Sequence, residues 1–340
     1  MGKGPIFIGG TDRSGKTTLR AFLVSHPNIS IPANGSNMWS YFYGQFGDLS
    51  QVENFERCLD ALMHYKHALY LKPDPDRIRH EFWQGTPTYA RLFALFHEHL
   101  AEREGKPRWG DQTGLIERYA DQIFEAYPNA KMIQMVRDPR DRYQASLTLW
   151  PKGKGRAGGA TARWLYSTSL AIRNVRRYPN RYMIVRYETL VRDTEQTLRE
   201  VCTFLDEDFI PSMITMDGDL DRRSRLTQGL NIKPDTNPLT PDFIGLYHQA
   251  VPQKEIAFIQ GIAGKQMKAI GYSLDAISFS LSDRIRYILL DWPLNMLRML
   301  AWLSLEIAHH NFPAQFGRKL SSNMITPRKH QNNKVNARAT

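Results

Sequence analysis

The chain has 340 residues, 45 of them basic and 34 acidic, for a formal net charge of +11. Hydrophobic residues at 42% and charged residues at 23% are globular proportions, which exclude a largely disordered, collagen-like or low-complexity chain. The two cysteines, Cys58 and Cys202, lie outside any C-x-x-C or Cys/His cluster, so they read as small packed hydrophobes and no structural zinc site is expected.

At about 150 residues per domain, the length suits two domains or one α/β domain with an appendage. No apolar signal region precedes the first strand, and a cytoplasmic protein is expected. Residues 5–9 (PIFIG) read as a short buried strand ended by Gly9 and Gly10, and residues 15–25 as a helix closed by Pro27. Helices are predicted at 50–66 and 87–104, with a connection at 72–80. An amphipathic helix at 116–127 ends at Pro128. AKMIQMV (130–136) is a second strand, followed by a helix from Pro139 to Leu149. GKGRAGG (153–159) reads as a basic loop before a helix at 160–177. RYMIVRY (181–187) is a third strand, and 194–205 another helix. Residues 207–251 read as irregular, and 253–268 as helical. Strands alternating with helices predict an α/β fold, a phosphate-loop-type, mainly parallel sheet flanked by helices.

GTDRSGKT, Gly10 to Thr17, matches G-x-x-x-x-G-K-[ST] and sits between a predicted strand and a predicted helix. Gly10 and Gly15 permit a turn whose backbone N–H groups point inward, and the following helix adds free N–H groups and the positive end of its dipole. Arg13 and Lys16 supply charge; Ser14, Thr17 and Thr18 supply hydroxyls. A kinase or NTPase would use such a loop with magnesium and an acidic strand end. Here the strand 130–136 is followed by Arg137 and only then Asp138. Arg137 can fork onto a phosphate and Ser146, on the next helix, can donate to one. The alternative is a surface ion pair, Arg137–Asp141 or Asp138–Arg142.

These motifs, in this order, resemble the sulfotransferases that use 3′-phosphoadenosine 5′-phosphosulfate (PAPS), with bacterial and tyrosylprotein-type members the most similar. GGTDRSGKTTLRAFLVSHPNI (9–29) resembles the family's 5′-phosphosulfate loop, and Arg13, Ser14, Gly15 and Thr17 fall on its pattern. WGDQT (109–113) resembles its tryptophan-glycine-aspartate segment, and YPNAKMIQMVRDPRD (127–141) its 3′-phosphate motif. VRYETLVRDTEQTLREVCTFL (185–205) resembles the strand and helix in which a tyrosine, here Tyr187, helps hold the nucleotide. The resemblance spans residues 4–274 and implies PAPS as co-substrate, no metal, and in-line transfer of a sulfuryl group to an acceptor hydroxyl or amine. Departures are Lys16, Gln112 where lysine is frequent, Asn34 near the usual catalytic glutamate, and Ala145 where the phosphate-binding serine usually stands. No late lysine-glycine-x-x-glycine clamp is evident.

Arg13 and Lys16 are expected to stabilise charge in the transition state. Asp111 is the first candidate for a general base, with a helix cap or a cation partner as its other reading. His26 reads as structural, and Glu81, His97 and His99 lie on or near helical segments. The aromatic stretch MWSYFYGQF (38–46) offers walls for a sugar, lipid or phenol acceptor, against the alternative of core packing.

Three units are expected: an α/β domain at 1–275, an amphipathic helical extension at 276–317, and a basic tail at 318–340 read as disordered. The apolar stretch 282–310 is broken by Asp291, Pro293, Arg298 and Glu306, so an amphipathic helix is expected rather than a membrane span. Packing on the domain or on a dimer partner competes there with peripheral membrane contact. Two rival functions stand beside sulfuryl transfer, a magnesium-dependent kinase or NTPase and a non-catalytic anion-binding protein. Nucleic acid is not an expected partner, since no base-stacking module or recognition helix is evident.

Overall fold

The computed structural model describes residues 3–147, 156–228, 232–233, 235–316, 319–320 and 322–325. Five strands, β1 (Ile6–Gly9), β2 (Ile29–Ser30), β3 (Arg108–Gln112), β4 (Lys131–Val136) and β5 (Tyr182–Arg186), form one sheet in the order β2-β3-β1-β4-β5. Every pairing is parallel, with Ile6 opposite both Gly110 and Lys131, and Val136 opposite Arg186. Side chains alternate along β1, which is buried on both faces. Phe7 joins Met132, Tyr182, Trp39, Phe93 and Phe96 on one side, while Ile6 and Ile8 join Ile133, Met135, Val185, Leu19 and Phe22 on the other. After β1 the chain turns to β2 and β3, then crosses to β4 and β5 on the far side of β1. In such sheets ligands bind outside the carboxyl ends of the strands, at the point where the order reverses.

The three strands expected from hydrophobic runs are present. β2 and β3 gave no such run: β2 is two residues long, and β3 reads RWGDQ. Its buried Arg108 is paired with Glu207 at 3.0 Å, a partner 99 residues away.

Helices Lys16–Leu23, Val52–Met63, Tyr89–Arg103, Pro139–Leu147, Ala157–Arg177, Thr194–Phe204 and Gln253–Ala269 match the expected ones within a few residues. The stretch 116–127 begins as a 3₁₀ turn, Ile116–Tyr119, before the α-helix Ala120–Ala126. Two expectations change. Residues 153–155 lie outside the described residues, but Ala157–Gly159 are already helical. Gly158 is pinned there: its N–H donates to Asn295 at 2.9 Å, and a Cβ would fall 2.0 Å from the Asn295 carbonyl oxygen. Within the segment read as irregular, Leu220–Thr227 is a helix, capped by the Asp219 carboxylate accepting from the Arg222 N–H at 2.9 Å.

The extension is helical through Pro293. Leu281–Arg286 runs through a π turn, Tyr287–Asp291, into Trp292–Asn311. The wide turn precedes Pro293, which has no N–H to give to the ladder. The long helix lies along Ala157–Arg177 rather than standing apart. Leu320 and Met324 then pack beside Tyr65, whose backbone bridges Ile325. No described helix is long and apolar enough to cross a membrane. Cys58 and Cys202 are both buried free thiols, and burial pushes Cys202 up to about 11, consistent with inert packing.

Candidate active site

β1 delivers the loop Gly10–Thr17 to the carboxyl end of the sheet. Gly10 and Gly15 take φ of +115° and +98°, and Arg13 itself sits at +64°. These turns aim the loop amides at the start of the helix Lys16–Leu23. The Ser14 hydroxyl closes the turn by donating to the Thr11 carbonyl at 2.7 Å. The Lys16 ammonium donates to the Gly10 and Thr11 carbonyls at 3.0 and 2.6 Å. Burial pushes its pKa down to about 8, against the opposing pull of Asp12 and Glu117. Arg13 and Thr17 are exposed, whereas Thr18 is buried.

β4 delivers Arg137 beside that loop. Its Nη1 donates to the Arg13 carbonyl at 3.5 Å, its Nη2 to the Phe243 carbonyl at 2.8 Å, and its guanidinium lies 4.5 Å from the Tyr187 ring centroid. Tyr187, at the end of β5, fills the space left by the missing Cβ of Gly15. The two phosphate-binding segments expected from sequence therefore converge.

Sequence reading missed a third cation. Arg222, on the short helix 220–227, donates to the Thr18 hydroxyl at 2.8 Å. An ion pair between Arg20 and Asp219 ties that short helix to the loop's own helix. Burial lowers the pKa of Arg13, and the Arg137 charge lowers it further; Arg222 is likewise lowered by burial, with Arg13 adding to the effect. Like charges held close enough to feel one another call for an anion between them. The Nε atoms of Arg137 and Arg222 are buried donors without a hydrogen-bond partner among the described residues. The residues present thus fit a polyanionic nucleotide.

A ring of fixed charges backs the loop. Asp12 accepts from Arg142 at 3.1 Å and from Arg163 at 2.6 Å, and its carboxyl is held far below the usual range despite the opposing cost of burial. The buried Glu117 accepts from the Gly10 N–H at 2.9 Å and from the Ser167 hydroxyl. These partners come from segments over 100 residues from the loop, and no local pattern announces them.

The proposed surface ion pairs are corrected. Asp138 is gripped by Arg140, whose Nε and Nη2 reach its two carboxylate oxygens at 3.0 and 2.6 Å. Arg142 pairs with Asp12, and Asp141 accepts from the Gly245 and Tyr247 N–H groups at 2.7 and 3.1 Å. The Asp141 carboxylate thus organises the segment around 243–247, which supplies the carbonyl for Arg137.

Ser146 is buried and its hydroxyl donates back to the Tyr143 carbonyl at 2.7 Å. One residue of shift turns a helical side chain by about 100°, which accounts for that inward orientation. Asp111 is also buried. It accepts from the Ser36 N–H and hydroxyl at 2.9 and 2.6 Å and from the Thr113 hydroxyl at 2.9 Å, with His97 Nε2 3.7 Å away. Burial alone would raise its pKa, but His97 and Ser36 hold it below the ordinary value. A saturated, acidic carboxylate is poorly suited to take a proton, so the general-base reading is corrected to that of a brace. What it braces is the loop 32–37, where Gln112 also donates to the Ala33 carbonyl at 2.8 Å and Asn34 is exposed.

The other titratable candidates are engaged as well. His26 bridges the Asn28 N–H and the Asp208 carbonyl, and His99 pairs with Glu81 at 2.9 Å. Of the aromatic stretch, Trp39 and Phe42 are core residues, while Trp39 and Tyr43 also line a cavity of about 730 Å³ with Tyr89 and Tyr127.

A parallel sheet with an anion loop after its central first strand, and an arginine leaving the neighbouring strand, defines a phosphate-loop α/β protein. The chain belongs to the sulfotransferase family, whose model matches residues 5–211. A protein-tyrosine sulfotransferase of Drosophila melanogaster is 26% identical over 209 residues, covering 59% of this chain and 38% of the fly protein. The chain thus spans well under two thirds of the length of that curated relative. Among solved structures, sulfotransferase STF9 of Mycobacterium avium is similar over 81% of this chain and 79% of its own, at TM-score 0.46 and 14% identity. Mouse sulfotransferase SULT7A1, solved with PAP, is similar over 79% and 85%, at TM-score 0.43 and 12% identity.

Proposed function

We propose that the protein transfers a sulfuryl group from PAPS to a hydroxyl of a small-molecule, glycan or lipid acceptor. The observation that supports this reading is the proximity of Arg13 and Arg137, from two different strand ends, with Tyr187 against the Arg137 guanidinium. Such a pair suits a carrier with phosphate at both ends of one nucleoside.

The loop amides, Arg13 and Lys16 would hold the 5′-phosphosulfate, while Arg137 and Tyr187 would grip the 3′-phosphate side. In the transfer, an acceptor oxygen attacks sulfur as the bond from sulfur to the bridging oxygen breaks, and the nucleotide 5′-phosphate leaves with that electron pair. Arg13 and Lys16 would stabilise the charge that oxygen gains, with little reorganisation of a loop already fixed. Arg222 adds a further cation beside Thr18. The acceptor proton passes to solvent or to the acceptor's surroundings, with Asp111 holding the loop that faces it. Positioning then supplies much of the rate.

The magnesium-dependent kinase reading loses ground on one point: Asp138, the carboxylate after β4, is fully taken up by Arg140. Calorimetric titration separates the two. Saturable binding of 3′,5′-adenosine bisphosphate, with ATP–magnesium binding far more weakly, is the expected result. The reverse order would overturn the proposal.

A further inference from the structure

The helix Trp292–Asn311 is amphipathic in the inverse sense. Its polar groups face the protein: Asn295 and Glu306 are buried, Asn295 accepting from Gly158 and Glu306 paired with Arg118. Trp302 lies against Tyr166, and His310 against Tyr119. These contacts seat the helix firmly. Most leucines of this helix and of the turn before it are exposed. Leu289, Leu290, Leu297 and Leu305 are 67%, 64%, 65% and 60% exposed, and Leu281, Ile285, Leu294 and Leu300 continue the same surface. Soluble surfaces rarely carry a continuous apolar patch on this scale without a use for it.

The exposed charges around the patch are mainly basic. Arg284 and Arg286 are exposed beside it. Of the nearby acids, Asp291 is paired with Lys254 at 2.9 Å and Glu306 with Arg118, while the exposed Asp283 accepts from the Ser280 hydroxyl and keeps its charge. The sequence beyond, 318–340, adds Arg318, Lys319, Arg328, Lys329, Lys334 and Arg338 and contains no acid. We infer that this face, Leu281 to Leu305, docks in the plane of an anionic lipid bilayer, the leucines entering the headgroup boundary and Arg284 and Arg286 meeting lipid phosphates. An interfacial helix needs an apolar face and a basic flank, and both are here. A second copy of the chain fits less well, because two such faces carry flanks of the same mainly basic sign, with Asp283 as the exposed acid beside them. The inference does not depend on sulfuryl transfer.

The test is cosedimentation of the full chain with phosphatidylcholine vesicles, with and without phosphatidylglycerol. Binding to the anionic vesicles, weakened by salt, is expected. Leu289→Glu with Leu297→Glu should abolish it, and Arg284→Glu or Arg286→Glu should weaken it roughly five-fold or more each. All four positions are exposed, so each variant should keep its affinity for 3′,5′-adenosine bisphosphate, which checks folding. Failure of the wild-type chain to pellet with anionic vesicles at low salt overturns the inference. So does light scattering that shows a dimer which the double leucine variant converts to monomer without vesicle binding.

Discussion

Gly15 and Tyr187 are in such close contact that a Cβ on residue 15 would fall 2.5 Å from the Tyr187 Cδ2 atom. The phosphate loop and the end of β5 are thereby fitted to each other before any ligand arrives. Gly15 also sits at a φ of +98°, which side chains other than glycine adopt at a cost of about 1–2 kcal/mol. Gly15→Ala is therefore expected to weaken 3′,5′-adenosine bisphosphate binding by about ten-fold or more while the chain still folds. The double variant Gly15→Ala with Tyr187→Leu should lose less than the two single losses combined, since trimming the ring removes the clash. Strict additivity in titration calorimetry would refute the contact as the cause.

The phosphate loop was legible because its signature is local: two glycines at the right spacing, a preceding apolar strand and a following helix. Arg137 was legible for the same reason, as the first residue beyond a strand of continuous apolar character. Arg222 and Glu117 were not, because each reaches the loop from another part of the chain and nothing around it differs from ordinary surface sequence. β3 was obscured by Arg108 and Asp111, whose burial makes sense only with Glu207 and Ser36 in place. Asp111 shows a deeper difficulty. Sequence gives the residue type and its place in the tryptophan-glycine-aspartate segment, but its role depends on how many donors surround it.

Lys16 makes nucleotide binding depend on pH. Burial has lowered its pKa from 10.5 to about 8, so part of the population is neutral above that value. A polyanion binds the protonated form better, which means binding takes up a proton. Affinity for 3′,5′-adenosine bisphosphate should be flat below about pH 7 and fall by up to ten-fold per unit above pH 8. Titrations near pH 8.5 in buffers of different ionisation enthalpy should show net proton uptake, and Lys16→Arg should remove it. For stability the sign is opposite. The unfolded chain holds the Lys16 proton up to about 10.5, so this residue destabilises the fold at neutral pH and that penalty fades as pH rises from 8 to 10.5.

Arg222 joins the site only through the short helix that carries it. Arg222→Ala should weaken bisphosphate binding by about ten- to hundred-fold, the range of one charge-assisted hydrogen bond to an anion, with little change in melting temperature. Asp219→Asn acts one step further away. It removes the charge partner of Arg20 while leaving an oxygen to cap the helix. A smaller loss of affinity is expected, together with faster amide exchange across 220–227 than in the rest of the sheet-packed core. Unchanged exchange there would show that the ion pair does not hold the helix down.

Asp111→Asn distinguishes a brace from a base. The amide would place an NH₂ group either toward the Ser36 and Thr113 hydroxyls, which share Oδ2, or toward the Ser36 N–H at Oδ1, and would remove the charge that His97 faces. A loss of about 2 kcal/mol is expected, seen as a melting temperature lower by several degrees. The depressed pKa adds a pH signature: the unfolded chain takes up the proton first, so Asp111 stabilises the fold above about pH 4 and that contribution is lost as pH falls through its lower folded value. The variant should lack this part of the acid limb. Its turnover should drop by less than about ten-fold with an unchanged pH–rate shape, whereas loss of a general base costs about 10²–10⁴. A collapse of that size at an unaltered melting temperature would return Asp111 to the chemistry.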